Sequence, residues 1–236
     1  GLVGSEMCIR DRIYIASEGI NAQLSVPGSK LIEFKNLIDS ISFLNGVRLN
    51  IAIKHSNEAF LKLKIKIKEK IVADGLNLND YDLDVHGKHV NAKEFNELLE
   101  DKNTITIDMR NHYESEVGHF KGANLPDVDT FRESLPLIKN KYESYKKNRK
   151  ILMYCTGGIR CEKASAYLLN NGFKNVYQLN GGIIEYARQV KENKIENKFI
   201  GKNFVFDNRL GERISNDIIS NCHQCGEKCD EHTNCN

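Results

Sequence analysis

Hydrophobic and polar positions along this chain change their spacing twice. Residues 13–16 and 22–26 are short runs of strand character around the turn Ser17-Glu18-Gly19-Ile20-Asn21. Pro27 and Gly28 break the chain. Leu31, Phe34, Leu37, Ile38 and Ile41 then recur at helical spacing, with Ser29 placed as N-cap. A further strand is expected over residues 49–54. From Leu61 to Lys68 the alternation is strict, which predicts a half-buried strand with Leu61, Leu63, Ile65 and Ile67 inward and Lys62, Lys64, Lys66 and Lys68 outward. This β-β-α-β order predicts a small ferredoxin-like α+β domain over residues 13–76, lacking its first strand and helix.

Residues 77–90 are polar and acidic, have no regular period and read as a linker. His86, Lys88 and His89 within it are expected only to meet solvent. From residue 91 to 195 strands and helices alternate. Strands are expected at 104–108, near Ala123-Asn124, at 151–154 and at 176–179, with helices at 92–100, 130–145, 161–171 and 182–192. Short apolar strands separated by helices imply an α/β fold, with a mainly parallel sheet covered on both faces. Such sheets place chemistry at the carboxyl ends of their strands. Residues 196–236 read as a cysteine-rich tail.

Composition narrows the class. Of 236 residues 40% are hydrophobic and 28% charged, the balance of a soluble globular protein. No apolar run approaches the ~20 residues that span a bilayer, so no membrane partner is expected. The net charge of +2 is too small to argue for nucleic acid by itself. No secretory signal is visible, and cytoplasm is the expected compartment. Residues 1–12 share no period with the rest of the chain and resemble translated adapter read-through, so they are excluded from the expected fold. The chain ends one residue after a cysteine inside a cluster, as a fragment would. Four of the seven cysteines fall in that cluster, which fits metal and thiol chemistry in a reducing compartment better than a disulfide framework. Nothing in the pattern assigns an oligomeric state.

The candidate chemistry lies in Cys155-Thr156-Gly157-Gly158-Ile159-Arg160, directly after the buried-strand pattern Ile151-Leu152-Met153-Tyr154. Gly157 and Gly158 allow a tight turn whose successive N–H groups aim at one centre. Arg160 adds a cation, and the following helix adds its positive end. Together these stabilise a thiolate or persulfide at Cys155, which a structural cysteine would not require. Cys161 reads as a packing residue or a resolving thiol. Asp108 and Arg110, at the end of another strand, read as a pair supporting the loop or as a structural ion pair.

Cys-x4-Arg between strand and helix resembles the rhodanese active-site loop; cysteine phosphatases use a loop one residue longer. Thr106-Ile107-Asp108-Met109-Arg110, Tyr113-Glu114, the run from Gly118 to Asn124, and Leu179-Asn180-Gly181-Gly182-Ile183 resemble the rest of that domain. The string from Tyr154 to Ala166 is narrower and is similar to the rhodanese-domain tRNA uridine hydroxylases. Glu18-Gly19-Ile20-Asn21, the run Phe204 to Arg209 and the terminal cysteines match the same family in order. The resemblance implies oxygen-dependent hydroxylation of the wobble uridine of tRNA at C5, with O2 as co-substrate and Cys155 at the place of the essential, persulfide-forming cysteine. Two alternatives stand beside it: a sulfurtransferase working through a Cys155 persulfide, and a non-catalytic RNA-binding module. No flavin, haem or nucleotide motif is present.

In the tail, Cys222-His223-Gln224-Cys225 is a C-x2-C knuckle followed by Cys229, His232 and Cys235, a donor set suited to structural zinc. Lys62, Lys64, Lys66 and Lys68 form a ladder that could track an RNA backbone or simply solvate a strand face. Glu18 and Asn21 become candidates for RNA or inter-domain contact through the family resemblance alone; otherwise they are ordinary turn residues.

Overall fold

The computed structural model describes residues 11–52, 63–77, 82, 84–207 and 209–231. Lys62, His232 and Cys235 lie outside the described residues. The chain divides into two compact units, residues 1–71 with 206–209, and residues 72–205 with 210–236.

In the first unit β1 (Asp11–Ala16) pairs antiparallel with β2 (Gly19–Gln23) and parallel with β3 (Leu63–Ile67), giving the order β2-β1-β3. Helix α1 (Leu31–Ser40) lies between β2 and β3 in the chain. β1 begins two residues before the expected strand start, within the stretch excluded from the expected fold, and Asp11 and Arg12 stand opposite Leu63 and Lys64. Arg12 Nη2 also donates to the Phe206 carbonyl at 3.1 Å. Residues 49–52 form no strand.

The expected inward aliphatics of β3 are not buried. Leu63, Ile65 and Ile67 are 60%, 57% and 88% exposed. An alternating strand hides one face only where a second layer covers it, and α1 has no buried residue. Leu44 and Ile71 are the buried hydrophobic side chains among the described residues of this unit.

The second unit carries a parallel sheet in the order β4-β8-β7-β5, built from β4 (Lys88–Val90), β5 (Thr104–Asp108), β7 (Lys150–Tyr154) and β8 (Asn175–Leu179). Period-two alternation sends successive residues of β7 to opposite faces. Ile151 and Met153 enter one core with Leu135 and Ile138 of α4 (Phe131–Lys141) and Ala164 and Leu168 of α5 (Ile159–Asn170). Leu152 and Tyr154 enter the other with Phe95 of α2 (Ala92–Glu100) and Ile183 and Tyr186 of α6 (Gly182–Asn193). Burial on both faces explains the uninterrupted apolar run that precedes Cys155. Asn91 starts α2 with a reciprocal cap: its side chain accepts from Glu94 N at 3.0 Å, and Glu94 Oε2 accepts from Asn91 N at 2.9 Å.

Two segments differ from the expected organisation. Lys88–Val90, inside the expected linker, is an edge strand paired with Tyr177–Leu179. Phe199–Asn203 (β9), inside the expected tail, pairs antiparallel with β6 (Gly118–Phe120) and with β10 (Glu212–Arg213). β4, with three residues, is too short for an alternation pattern to register, and in β9 Gly201, Lys202 and Asn203 follow Phe199-Ile200 and leave no apolar run to read. α3 (His112–Glu116) is a single short helix after β5. The expected strand near Ala123-Asn124 is one bridge, Asn124 to Ile107, beside β5. Among the described residues no helix is long and apolar enough to cross a membrane.

Phe120 is fully buried, with ring centroids of Phe95, Tyr154, Tyr186 and Phe199 at 4.6, 4.7, 4.7 and 5.2 Å. Phe120→Ala is expected to remove about 3–5 kcal/mol from the unfolding free energy of this unit. Urea denaturation checks it, and a loss below about 1 kcal/mol would contradict this packing.

Candidate active site at the Cys155 loop

β7 ends at Tyr154 and α5 begins at Ile159, so four residues turn the chain from sheet to helix. Gly158 makes the turn at φ 101°, a conformation that a side chain disfavours. Its N–H points back at the Cys155 sulfur, 3.1 Å away. The carbonyls of the loop are held from below: Ile183 N donates to the Cys155 carbonyl at 3.0 Å and Ile184 N to that of Thr156 at 3.2 Å. Gly182 makes this approach feasible, since a Cβ there would stand 2.5 Å from the Cys155 carbonyl oxygen. The first turn of α6 thus supplies otherwise unpaired helix N–H groups to the loop.

Cys155 and Cys161 are both fully buried. Burial pushes the Cys155 thiol up, but the Cys161 thiol as donor, the Arg160 charge, and the N–H groups of Cys161 and Gly158 outweigh it and bring the pKa down to about 6. Cys161 moves the other way: burial and then the adjoining Cys155 sulfur push it well up. The pair therefore holds one thiolate and one thiol at neutral pH, with Cys161 donating.

Arg160 is less free than the sequence suggests. Its Nη1 and Nη2 donate to Glu114 Oε2 and Oε1 at 2.6 and 2.8 Å, and Nη2 also reaches Thr156 Oγ1 at 3.3 Å. Glu114 is completely buried in α3, where its Oε2 also accepts from Asn111 N at 3.0 Å. Such a fork holds the guanidinium in one orientation beside the loop. Sequence reasoning missed Glu114, although Tyr113-Glu114 belongs to the resemblance. It missed the α6 contacts too, although Gly181-Gly182-Ile183 was visible.

Asp108 and Arg110 are joined within the core. Arg110 Nη2 donates to Asp108 Oδ2 at 2.7 Å and to the Gly118 carbonyl at 2.6 Å, and Arg110 Nε to Asp108 Oδ1 at 3.0 Å. The pair ties the end of β5 to β6, with the guanidinium 5.8 Å from the Tyr154 ring centroid. Gly157 and Ile159 sit half-buried in the loop.

The remaining candidates stand elsewhere. Lys64, Lys66 and Lys68 belong to β3 or come directly after it, and Lys68 Nζ lies 4.0 Å above the Tyr14 ring. Glu18 Oε1 accepts from Ile71 N at 2.6 Å, and Asn21 pairs with Tyr14 inside the hairpin. In the tail, Cys222 N donates to the Glu227 carbonyl and Cys229 N to that of Ser220, closing a tight loop. The N–H groups of Cys225 and Gln224 turned to the Cys222 sulfur hold its pKa down, as in a metal knuckle. Cys222, Cys225 and Cys229 are free thiols and are not gathered within 4.8 Å in this structure. His223 is turned away to Glu116.

Comparison with known proteins fits this division of the chain. A model of the UPF0176 acylphosphatase-like domain matches residues 3–71, one of the rhodanese-like domain residues 91–189, and one of the rhodanese C-terminal region residues 200–236. A protein of Leptospira interrogans named tRNA uridine(34) hydroxylase is 57% identical over 95% of this chain and 61% of its own length. Its namesake in Photorhabdus laumondii is 50% identical over 98% of this chain and 66% of its own length. The chain belongs to this family of rhodanese-domain proteins with a UPF0176 N-terminal domain. It spans somewhat under two thirds of the length of these relatives. A rhodanese-like domain protein from Staphylococcus aureus is similar at 28% identity over 42% of this chain and 90% of its own, with a TM-score of 0.34.

Two substitutions test how the loop is held. Glu114→Gln leaves the Arg160 charge without its partner and is expected to cost about 3–5 kcal/mol in denaturant unfolding. Gly182→Ala forces the α6 start off the loop and is expected to cost about 1–3 kcal/mol. Near-zero losses would contradict these contacts.

Proposed function

We propose that this chain performs the reaction for which its relatives are named, hydroxylation of uridine 34 of tRNA, with Cys155 as the reacting thiol. The observation that carries this reading is the fully buried Cys155 sulfur with its pKa lowered to about 6, within a family of that name. Forming 5-hydroxyuridine with O2 inserts one oxygen atom at C5 and reduces the other to water, which takes two electrons and two protons from a reductant. In this reading the loop amides and Cys161 keep Cys155 ionised, while Glu114 fixes Arg160 beside it. Lys62, Lys64, Lys66 and Lys68 with Glu18 and Asn21 serve tRNA binding. A zinc ion on Cys222 and Cys225, completed from Cys229, His232 and Cys235, would fold the tail. The cytoplasm is the matching compartment.

A second reading has support in the same sulfur. An activated thiolate in a rhodanese-like domain suits a persulfide passed to a small acceptor.

The test uses cells that lack the full-length gene, rescued with the wild type or with Cys155→Ala. Wild type is expected to restore 5-hydroxyuridine-derived tRNA nucleosides, measured by mass spectrometry, and Cys155→Ala to leave them more than tenfold lower. Unchanged nucleosides in the deletion strain would overturn the hydroxylase reading. Thiosulfate sulfurtransferase turnover that depends on Cys155 in that case would favour the second.

A further inference from the structure

Outside the Cys155 loop, the described residues contain one group of three metal-ligating side chains with donor atoms within 4.8 Å of one another: His86, His89 and Glu162. The group is assembled by the fold. His86 precedes β4, His89 is its middle residue, and Glu162 lies in the first turn of α5. The two imidazoles meet edge to face, with centroids 4.9 Å apart.

Gln178, 1% exposed on the adjoining strand β8, organises both sides of the group. Its Nε2 donates to Glu162 Oε2 at 2.9 Å and to the Gly87 carbonyl at 3.0 Å. That carbonyl also faces His86 Nδ1 at 3.2 Å. A carbonyl can only accept, so Nδ1 carries the hydrogen and Nε2 of the neutral ring presents its lone pair. An imidazole held at one nitrogen by a carbonyl, and a carboxylate held at one oxygen by an amide, are the outer supports that metal ligands commonly have. The other oxygen, Glu162 Oε1, shares a proton with His89 Nε2 at 2.7 Å, and a cation could replace that proton. The side chains of His89 and Glu162 are 32% and 30% exposed, so an ion can enter and keep water on its remaining positions.

We propose that His86, His89 and Glu162 bind one divalent transition-metal ion of the zinc class, which fastens edge strand β4 to helix α5. Two imidazoles and a carboxylate are a donor set that zinc takes with an open fourth position. Its ligands sit ~2.0–2.1 Å from the ion and hence about 3.3 Å from each other. The donor atoms already lie within 4.8 Å of one another on side chains that are exposed or half-buried, so rotation of those side chains can bring them to this spacing. The proposal is independent of the hydroxylase reading, because it concerns none of the loop residues that hold the Cys155 sulfur.

The test removes the tail thiols first. In full-length Cys222→Ser/Cys225→Ser/Cys229→Ser/Cys235→Ser protein, one Zn2+ per chain is expected in competition with a chromophoric chelator. Co2+ in its place should show d–d bands without sulfur charge-transfer absorption. Adding His86→Ala and His89→Ala is expected to weaken Zn2+ binding at least a hundredfold, and Gln178→Leu about tenfold or more. Zn2+ should raise the Tm of the parent and not of the double-histidine variant, whose fold circular dichroism checks in the same experiment. Glu162→Gln, close in shape, provides a second variant expected to lose the ion. Failure of the parent to bind Zn2+, or binding unchanged within twofold in the His86→Ala/His89→Ala protein, overturns the proposal.

Discussion

Keeping a thiolate away from water is the constraint on which the second unit depends. A buried sulfur favours its neutral form, because the charged form loses its hydration. Here the Gly158 N–H, the Cys161 thiol and N–H, and the Arg160 charge replace that hydration. Each donor is in turn held by something else. Gly158 turns the chain at positive φ, α6 fixes the loop carbonyls, and Glu114 holds Arg160 with two hydrogen bonds. The sheet supplies the origin of the arrangement, since β7 is buried on both faces and delivers Cys155 at its carboxyl end.

The core of this arrangement was legible in the sequence. The apolar run 151–154, the Gly-Gly turn, the arginine and the four helical segments all carry local signals: period, glycine and charge. The groups that complete the site do not. Glu114 acts through a contact 46 residues away in sequence, and in a single sequence it is one acid among many. The α6 N–H groups belong to the backbone, and Gly182, whose missing Cβ admits the contact, does not by itself name the loop that it meets. His86 and His89 meet Glu162 only after β4 joins the sheet beside β8. A three-residue strand is too short to show its period, so the pattern around it resembles a linker.

The first unit shows the converse. Its alternation over 61–68 was the clearest periodic signal in the chain, yet the aliphatics of β3 face outward without cover. Period predicts that a strand has two unlike faces, while burial requires a second layer to pack on one of them. Of the lysines of that strand Lys66 is exposed and Lys64 half-buried, and Lys68 just after it spreads its charge over Tyr14.

The state of the Cys155 sulfur in solution tests the account most directly. Thiolate absorbance near 240 nm is measured against pH in wild type and in Cys155→Ala, and the difference isolates this residue. Cys161 stays protonated over the range, so one transition is expected. As pH rises the difference should grow through a midpoint of about 6 and be complete by neutrality. A midpoint at about 8.5, the value of an unperturbed thiol, would mean that the loop does not stabilise a thiolate and would contradict the account.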